Sequence, residues 1–230
     1  MMPPLQLAST DAPSAERRPR RASVVIGGDD VYEDLFTASC ELQELCTEAG
    51  FVARVRFGAA CLRETDGDDL VVLYTAGGRF DGDEQSALSA AIASGTGLLS
   101  IHSTALPRHG ALDELTGVVF DSHGPEPHAD RFTVHIDPEH PLFAGTSVPR
   151  CFDIDHEHYR TSVAAGTRVA AWRDIPYGRE PLVLTRNEGD GRVCWVQFGH
   201  DMRVWGEPAV RAIVLAAVRW SARPTAGIEG

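Results

Sequence analysis

Short apolar runs separated by helical periodicity set the rhythm of the first hundred residues. ASVVIGG (22–28) is β-branched and closed by glycines, FVARVRF (51–57) reads as a second strand, and DDLVVLYTAGG (68–78) and GLLSIHS (97–103) are apolar almost throughout. Runs with no polar alternation suit strands that are covered on both faces. Between them, a helical pattern from about Tyr32 to Ala49 ends at Gly50, a natural C-cap, and DEQSALSAAIAS (83–94) is amphipathic with acids in its first turn. Strand and helix alternate, which predicts an α/β fold: a flavodoxin-like three-layer sandwich around a mainly parallel sheet.

The pattern changes between about Pro107 and Arg160. This stretch holds seven of the nine histidines and little helical periodicity after Leu115, and it reads as an inserted region of short strands and loops. His140-Pro141 marks a turn before a short helical start. Beyond it come VAAWR (169–173) and PLVLTRNEGDGRVCWVQFGHD (181–201), where two apolar runs flank an EGDG turn and predict a hairpin. A last helix runs from Pro208 to about Ala222 with Val210, Ile213, Val214, Ala217 and Val218 on one face.

Composition narrows the function. Residues 1–21 are rich in Pro, Ala and Ser and end in RRPRR, and they read as a disordered tail; 22–222 form the domain and 223–230 a second tail. Four arginines against Asp11 and Glu16 give the first segment +2, so the remainder carries −14 of the total −12. A body this acidic is a poor match for nucleic acid or an anionic membrane. No stretch has the length of a membrane span or the form of a secretory leader, and the chain is expected in the cytoplasm. All 21 basic residues are arginine, which excludes Schiff-base and P-loop lysines. Five cysteines without CxxC spacing point away from disulfide scaffolds and zinc ribbons.

In parallel sheets ligands lie beyond the carboxyl ends of the strands. Gly27 and Asp29 follow the first strand, Thr75 to Gly78 the third, and His102 the fourth, while His200 and Asp201 follow the late hairpin strand. Imidazole titrates near neutrality, and a carboxylate beside it fixes its tautomer and raises its basicity, so these residues suit acid and base catalysis.

The motifs GLLSIH (97–102), LTGVVFDSH (115–123), HPLFAG (140–145), FDIDHEHY (152–159) and GDGRVCWVQFGHDMRVW (189–205) together resemble the trehalose-utilisation, or ThuA-like, family over residues 22–221. The resemblance implies a class I glutamine amidotransferase-like fold and a link to the catabolism of disaccharides and their oxidised forms. It adds His123 and Glu157 to the cleft. Where amidotransferases carry a cysteine nucleophile after a strand this chain has His102, so glutaminase chemistry lacks its thiolate. Glu157 and Tyr159 fit the family's pattern of an acidic pair followed one residue later by tyrosine, whereas His156 stands where an acid is expected. On a strand His156 and His158 share one face and Asp155 and Glu157 the other, so only one face should meet the cleft.

The expected catalytic set is therefore His102, His200, Asp201, Glu157 and His123. Tyr159, Asp29, Trp205 and Arg203 are expected at the substrate, the indole stacking on a sugar ring and the guanidinium serving an anionic or polyhydroxylated ligand. Acid and base chemistry on a carbohydrate or related small polar metabolite is the leading expectation. Three alternatives stay open: a hydrolase using a divalent metal such as Zn2+ on two or three imidazoles and Glu157, a tailoring enzyme of secondary metabolism, and a non-catalytic binding module. The expected partner is a small molecule, with a second copy of the chain left open.

Overall fold

The apolar runs at the front of the chain do become adjacent strands. The computed structural model describes residues 18–28, 33–76, 79–105, 111–125, 127, 129–200 and 202–222. Strands β1 (Arg21–Gly28), β2 (Val52–Phe57), β3 (Leu70–Ala76) and β4 (Gly97–Ile101) lie side by side in the order β2-β1-β3-β4, all parallel. Successive side chains on a strand face opposite ways, so Val24 and Ile26 of β1 enter one core and Val25 enters another. The first core is closed by α1 (Leu35–Glu48) and α5 (Pro208–Ser221), the second by α2 (Gly82–Ala93) and α3 (Ala111–Thr116). These are three layers with the sheet in the middle.

Local chemistry sets the helix starts. Asp81 and Glu84 form a reciprocal capping box on α2. On α1 the Asp34 carboxylate accepts from the Thr37 backbone N–H at 2.9 Å, which fixes the first turn at Leu35 rather than near Tyr32. A cap of this kind is worth about 1 kcal/mol. The consequence is that Glu33 stands just outside the helix.

The second half of the sheet departs from the expected parallel order. The remaining strands are β5 (Val118–Ser122), β6 (Ala129–Ile136), β7 (Cys151–Glu157), β8 (Arg160–Val163), β9 (Arg168–Ile175), β10 (Gly178–Glu188) and β11 (Gly191–Val196). β11 joins β4 in parallel, but β10, β9, β6 and β7 continue the sheet in antiparallel pairs. The nine strands run β2-β1-β3-β4-β11-β10-β9-β6-β7, a mixed sheet and not a mainly parallel one. The reason lies in the connections. Gly189 and Asp190 alone link β10 to β11, and a two-residue link can join only antiparallel neighbours.

The region expected to be a separate insertion thus supplies two strands of the main sheet, β6 and β7. Among the described residues only β5 and β8 leave it, as a two-stranded antiparallel sheet. The basic cluster near the start is also tied down: Arg18 makes two 3.0 Å hydrogen bonds to Asp69, and Arg20 lies over the Phe51 ring. The rest of the expected first tail, residues 1–17, and the expected second tail, 223–230, lie outside the described residues. No helix among the described residues is long and apolar enough to cross a membrane.

Candidate functional site

β4 ends at Ile101 and the chain turns at once into a short 3-10 helix, His102–Ala105. His102 makes that turn with φ 47°, the one described non-glycine residue in the left-handed region. Such a conformation costs an L-residue roughly 1–2 kcal/mol and persists only where neighbours enforce it. Here Trp195 of β11 donates its indole N–H to the His102 carbonyl at 3.3 Å. Thr104 donates its hydroxyl to the Leu73 carbonyl at 3.0 Å and accepts from the Thr75 N–H, stitching the turn to β3.

The imidazole of His102 is fully buried and both nitrogens are engaged. Nδ1 donates to the Gln197 carbonyl at 2.6 Å, just past the end of β11. Nε2 faces the Tyr159 hydroxyl at 2.7 Å, Glu157 Oε2 at 3.1 Å and Glu33 Oε1 at 3.6 Å. Burial pushes the His102 pKa down, but the hydrogen bond with Glu157 and the charges of Glu33 and Glu157 outweigh it and hold it above the ordinary imidazole value.

Glu157, at the end of β7, is the hub. Its Oε2 lies 3.1 Å from His102 Nε2 and 3.2 Å from His200 Nδ1, and its Oε1 lies 3.3 Å from His123 Nε2. Burial alone would raise its carboxyl; the hydrogen bond with His102, the charges of His102 and His200, and the Tyr159 hydroxyl hold it at about 2. The small sheet delivers His123, because the pairing of Ser122 with Arg160 sets His123 beside Tyr159, with ring centroids 5.4 Å apart. The Tyr159 hydroxyl is buried against Glu157 and Glu33, which raises its pKa well above 10 and keeps it protonated.

His200 is positioned from behind by His156. The Gly199 and His200 backbone N–H groups donate to His156 Nε2 at 3.2 and 3.3 Å, while His156 Nδ1 donates to the Glu157 carbonyl. His156 is therefore a neutral, tautomer-fixed bracket between β7 and the turn after β11. Both histidines of the DHEHY segment are buried, His158 against Phe132 and Arg173, but His156 and Glu157, neighbours on β7, both reach the cluster. The expectation that only one face would meet the cleft fails for that reason. Gly199, at φ 140°, packs closely on the His102 turn: a Cβ there would sit 3.0 Å from Ile101 Cγ2 and 3.1 Å from His102 Cβ.

Five of the expected residues thus converge: His102, His123, Glu157, Tyr159 and His200. His200 and His123 give the cluster its open side, with side chains 31% and 27% exposed. Trp205, on the one-turn helix α4 (Met202–Trp205), is instead buried with its ring edge-on to Tyr74, and Arg203 is exposed. Asp29 and Asp201 lie outside the described residues.

Two members went unnoticed in the sequence. Tyr74, mid-strand in β3, donates to the Gly199 carbonyl at 2.8 Å. Glu33 is buried, and its Oε2 has no hydrogen-bond partner. Neither sits in a motif; a carboxylate inside the run expected to be helical was the only signal available for Glu33.

Comparison with known proteins agrees with this architecture. A family model described as ThuA, trehalose utilisation, matches residues 31–221. No curated protein matches the chain. A protein of Bacteroides uniformis described as ThuA-like superposes with a TM-score of 0.67 at 16% identity, covering 92% of this chain and 95% of the other. A second, from Parabacteroides merdae, gives 0.70 at 14% identity and covers 88% and 90%. A Thermoplasma acidophilum protein described as part of a GMP synthase gives 0.58 at 14% identity, covering 88% and 94%. At such identities these structures speak for the fold alone.

Proposed function

Because the chain belongs to the ThuA, or trehalose-utilisation, family, we propose that it is a cytoplasmic enzyme acting on a carbohydrate or related small polar metabolite by acid and base chemistry at the His-Glu cluster. The observation that carries this reading is one carboxylate, Glu157, held within 3.3 Å of three imidazoles from three separate chain segments. Fully buried His102 orients the carboxylate, while part-exposed His200 and His123 stand where a substrate proton can reach them. Ion pairs of this kind are costly to bury, and a purely structural role would be served as well by apolar packing.

Glutamine hydrolysis finds no support. The turn that would carry a thiol carries His102, Cys46 is buried with its thiol pushed up to about 12, and Cys194 is buried inside β11 with its thiol raised still further. The helix layers and the mixed sheet are compatible with the flavodoxin-like, amidotransferase-related scaffold, with its chemistry exchanged.

The test is a panel of disaccharides and their keto derivatives followed by proton NMR, with wild type and Glu157→Gln in parallel. Wild type is expected to convert at least one of them, and Glu157→Gln to lose roughly 10²–10⁴-fold in rate. Equal turnover by the variant would remove Glu157 from the chemistry, and failure to bind or convert any saccharide would remove the substrate class.

A further inference from the structure

The geometry points to a divalent transition-metal site formed by Glu33, His102 and His200, with Glu157 alongside. It rests on the reading of this cluster as the working site and names the cofactor that site would take. One carboxylate oxygen and one ring nitrogen from each of the two imidazoles lie within 4.8 Å of one another. Tetrahedral ligands about 2.1 Å from an ion such as zinc stand roughly 3.4 Å apart. The separation of 3.6 Å from His102 Nε2 to Glu33 Oε1 sits close to that value, and Glu157 Oε2 lies beside the two imidazoles at 3.1 and 3.2 Å.

The hydrogen bonding supports a cation over a proton. His102 is held with Nδ1–H on a backbone carbonyl, which leaves the Nε2 lone pair facing inward, where the Tyr159 hydroxyl at 2.7 Å meets it and would turn aside for an ion. This is the outer-shell arrangement that orients histidine ligands. A proton on Nε2 would satisfy Glu157, but it leaves Glu33 Oε2, in a side chain 4% exposed, without a directed hydrogen bond, and His200 Nδ1 with only its 3.2 Å contact to Glu157 Oε2. A buried polar atom in that state costs about 1–3 kcal/mol, more when it belongs to a charged group. A dication at the same point would meet both of them and would match the two carboxylate charges of Glu33 and Glu157.

Two imidazoles and one carboxylate favour zinc, iron(II) or cobalt(II) over magnesium or calcium, which prefer oxygen alone. Glu157 then becomes the carboxylate beside the ion, on the side opened by His200 and His123, where it can take a proton from substrate or water. His102 changes from proton donor to ligand.

The experiment uses the full chain, stripped with chelator and titrated with Zn2+ by calorimetry and with Co2+ by visible absorption. One equivalent of either ion is expected for wild type. Glu33→Gln and His200→Asn are each expected to weaken binding by about tenfold or more. His135→Gln, at a part-exposed imidazole stacked on Trp172, is expected to leave it unchanged. Circular dichroism checks folding, and should Glu33→Gln fail to fold, His200→Asn at a part-exposed side chain carries the test. Substoichiometric binding, or both variants binding as wild type does, overturns the site. Because this readout needs no substrate, the two proposals separate: a metal-free protein in which Glu157→Gln still abolishes turnover refutes the site and keeps the acid and base reading.

Discussion

Gly199→Ala isolates what the backbone contributes to the cluster. Gly199 has φ 140°, which costs an L-residue of order 1–3 kcal/mol. The added methyl would also press on Ile101 Cγ2 at 3.0 Å, His102 Cβ at 3.1 Å and Tyr74 Cε2 at 3.4 Å. Overfilling a packed site of this kind costs about 1–3 kcal/mol more. Gly178 supplies the control, since its φ is 144° and nothing lies within 4 Å of its would-be Cβ. Gly178→Ala therefore reads the strain alone, and the difference between the two variants reads the contact. For a chain of this size 1 kcal/mol moves Tm by about 2–4 °C. Gly199→Ala should thus melt roughly 5–15 °C below wild type, with Gly178→Ala falling only part of the way. Equal shifts for the two variants would show that the methyl meets no resistance, and the packing of the turn against His102 would have to be abandoned.

Two other perturbations are open to the same measurement. His140 is buried, accepts from the Leu142 N–H and lies 3.0 Å from the Thr185 hydroxyl; burial, with the Arg168 charge adding to it, lowers its pKa to about 4. Its native form resists the proton that the unfolded chain takes up below 6.5, so stability is lost as pH falls from 6.5 towards 4, by about 2 kcal/mol at pH 5. Urea melts at pH 7 and pH 5 should show this slope in wild type and not in His140→Gln; equal slopes would refute it. Trp205→Ala removes a buried indole packed on Tyr74 and should cost about 3–5 kcal/mol, and a loss near zero would mean that the ring is not part of the core.

The parallel half of the sheet was legible because β1, β3 and β4 are apolar on both faces and need no partner to identify them. The hairpin at Gly189-Asp190 and the helical start after His140-Pro141 were legible from local turn chemistry. The antiparallel half was not. β6 and β7 are exposed on much of one face, and their place at the far end of the sheet is settled by pairings such as Phe132 with Ile154 that only the folded chain brings together. The site divided in the same way. His102, His200 and Glu157 announced themselves through strand ends and motifs, whereas Glu33 acts from a position fixed by where its neighbour Asp34 caps a helix. Gln197 contributes a main-chain carbonyl, which no side-chain pattern can reveal.

The bracket made by His156 also bears on how a ligand is received. Its ring closes the 43-residue separation between β7 and Gly199, so the segment bearing Glu157 and the turn bearing His200 are already ordered together. The entropy of bringing those walls into register is spent in folding and not at the moment of encounter. On the function proposed above, a ligand reaching the side opened by His200 and His123 meets walls already held in register.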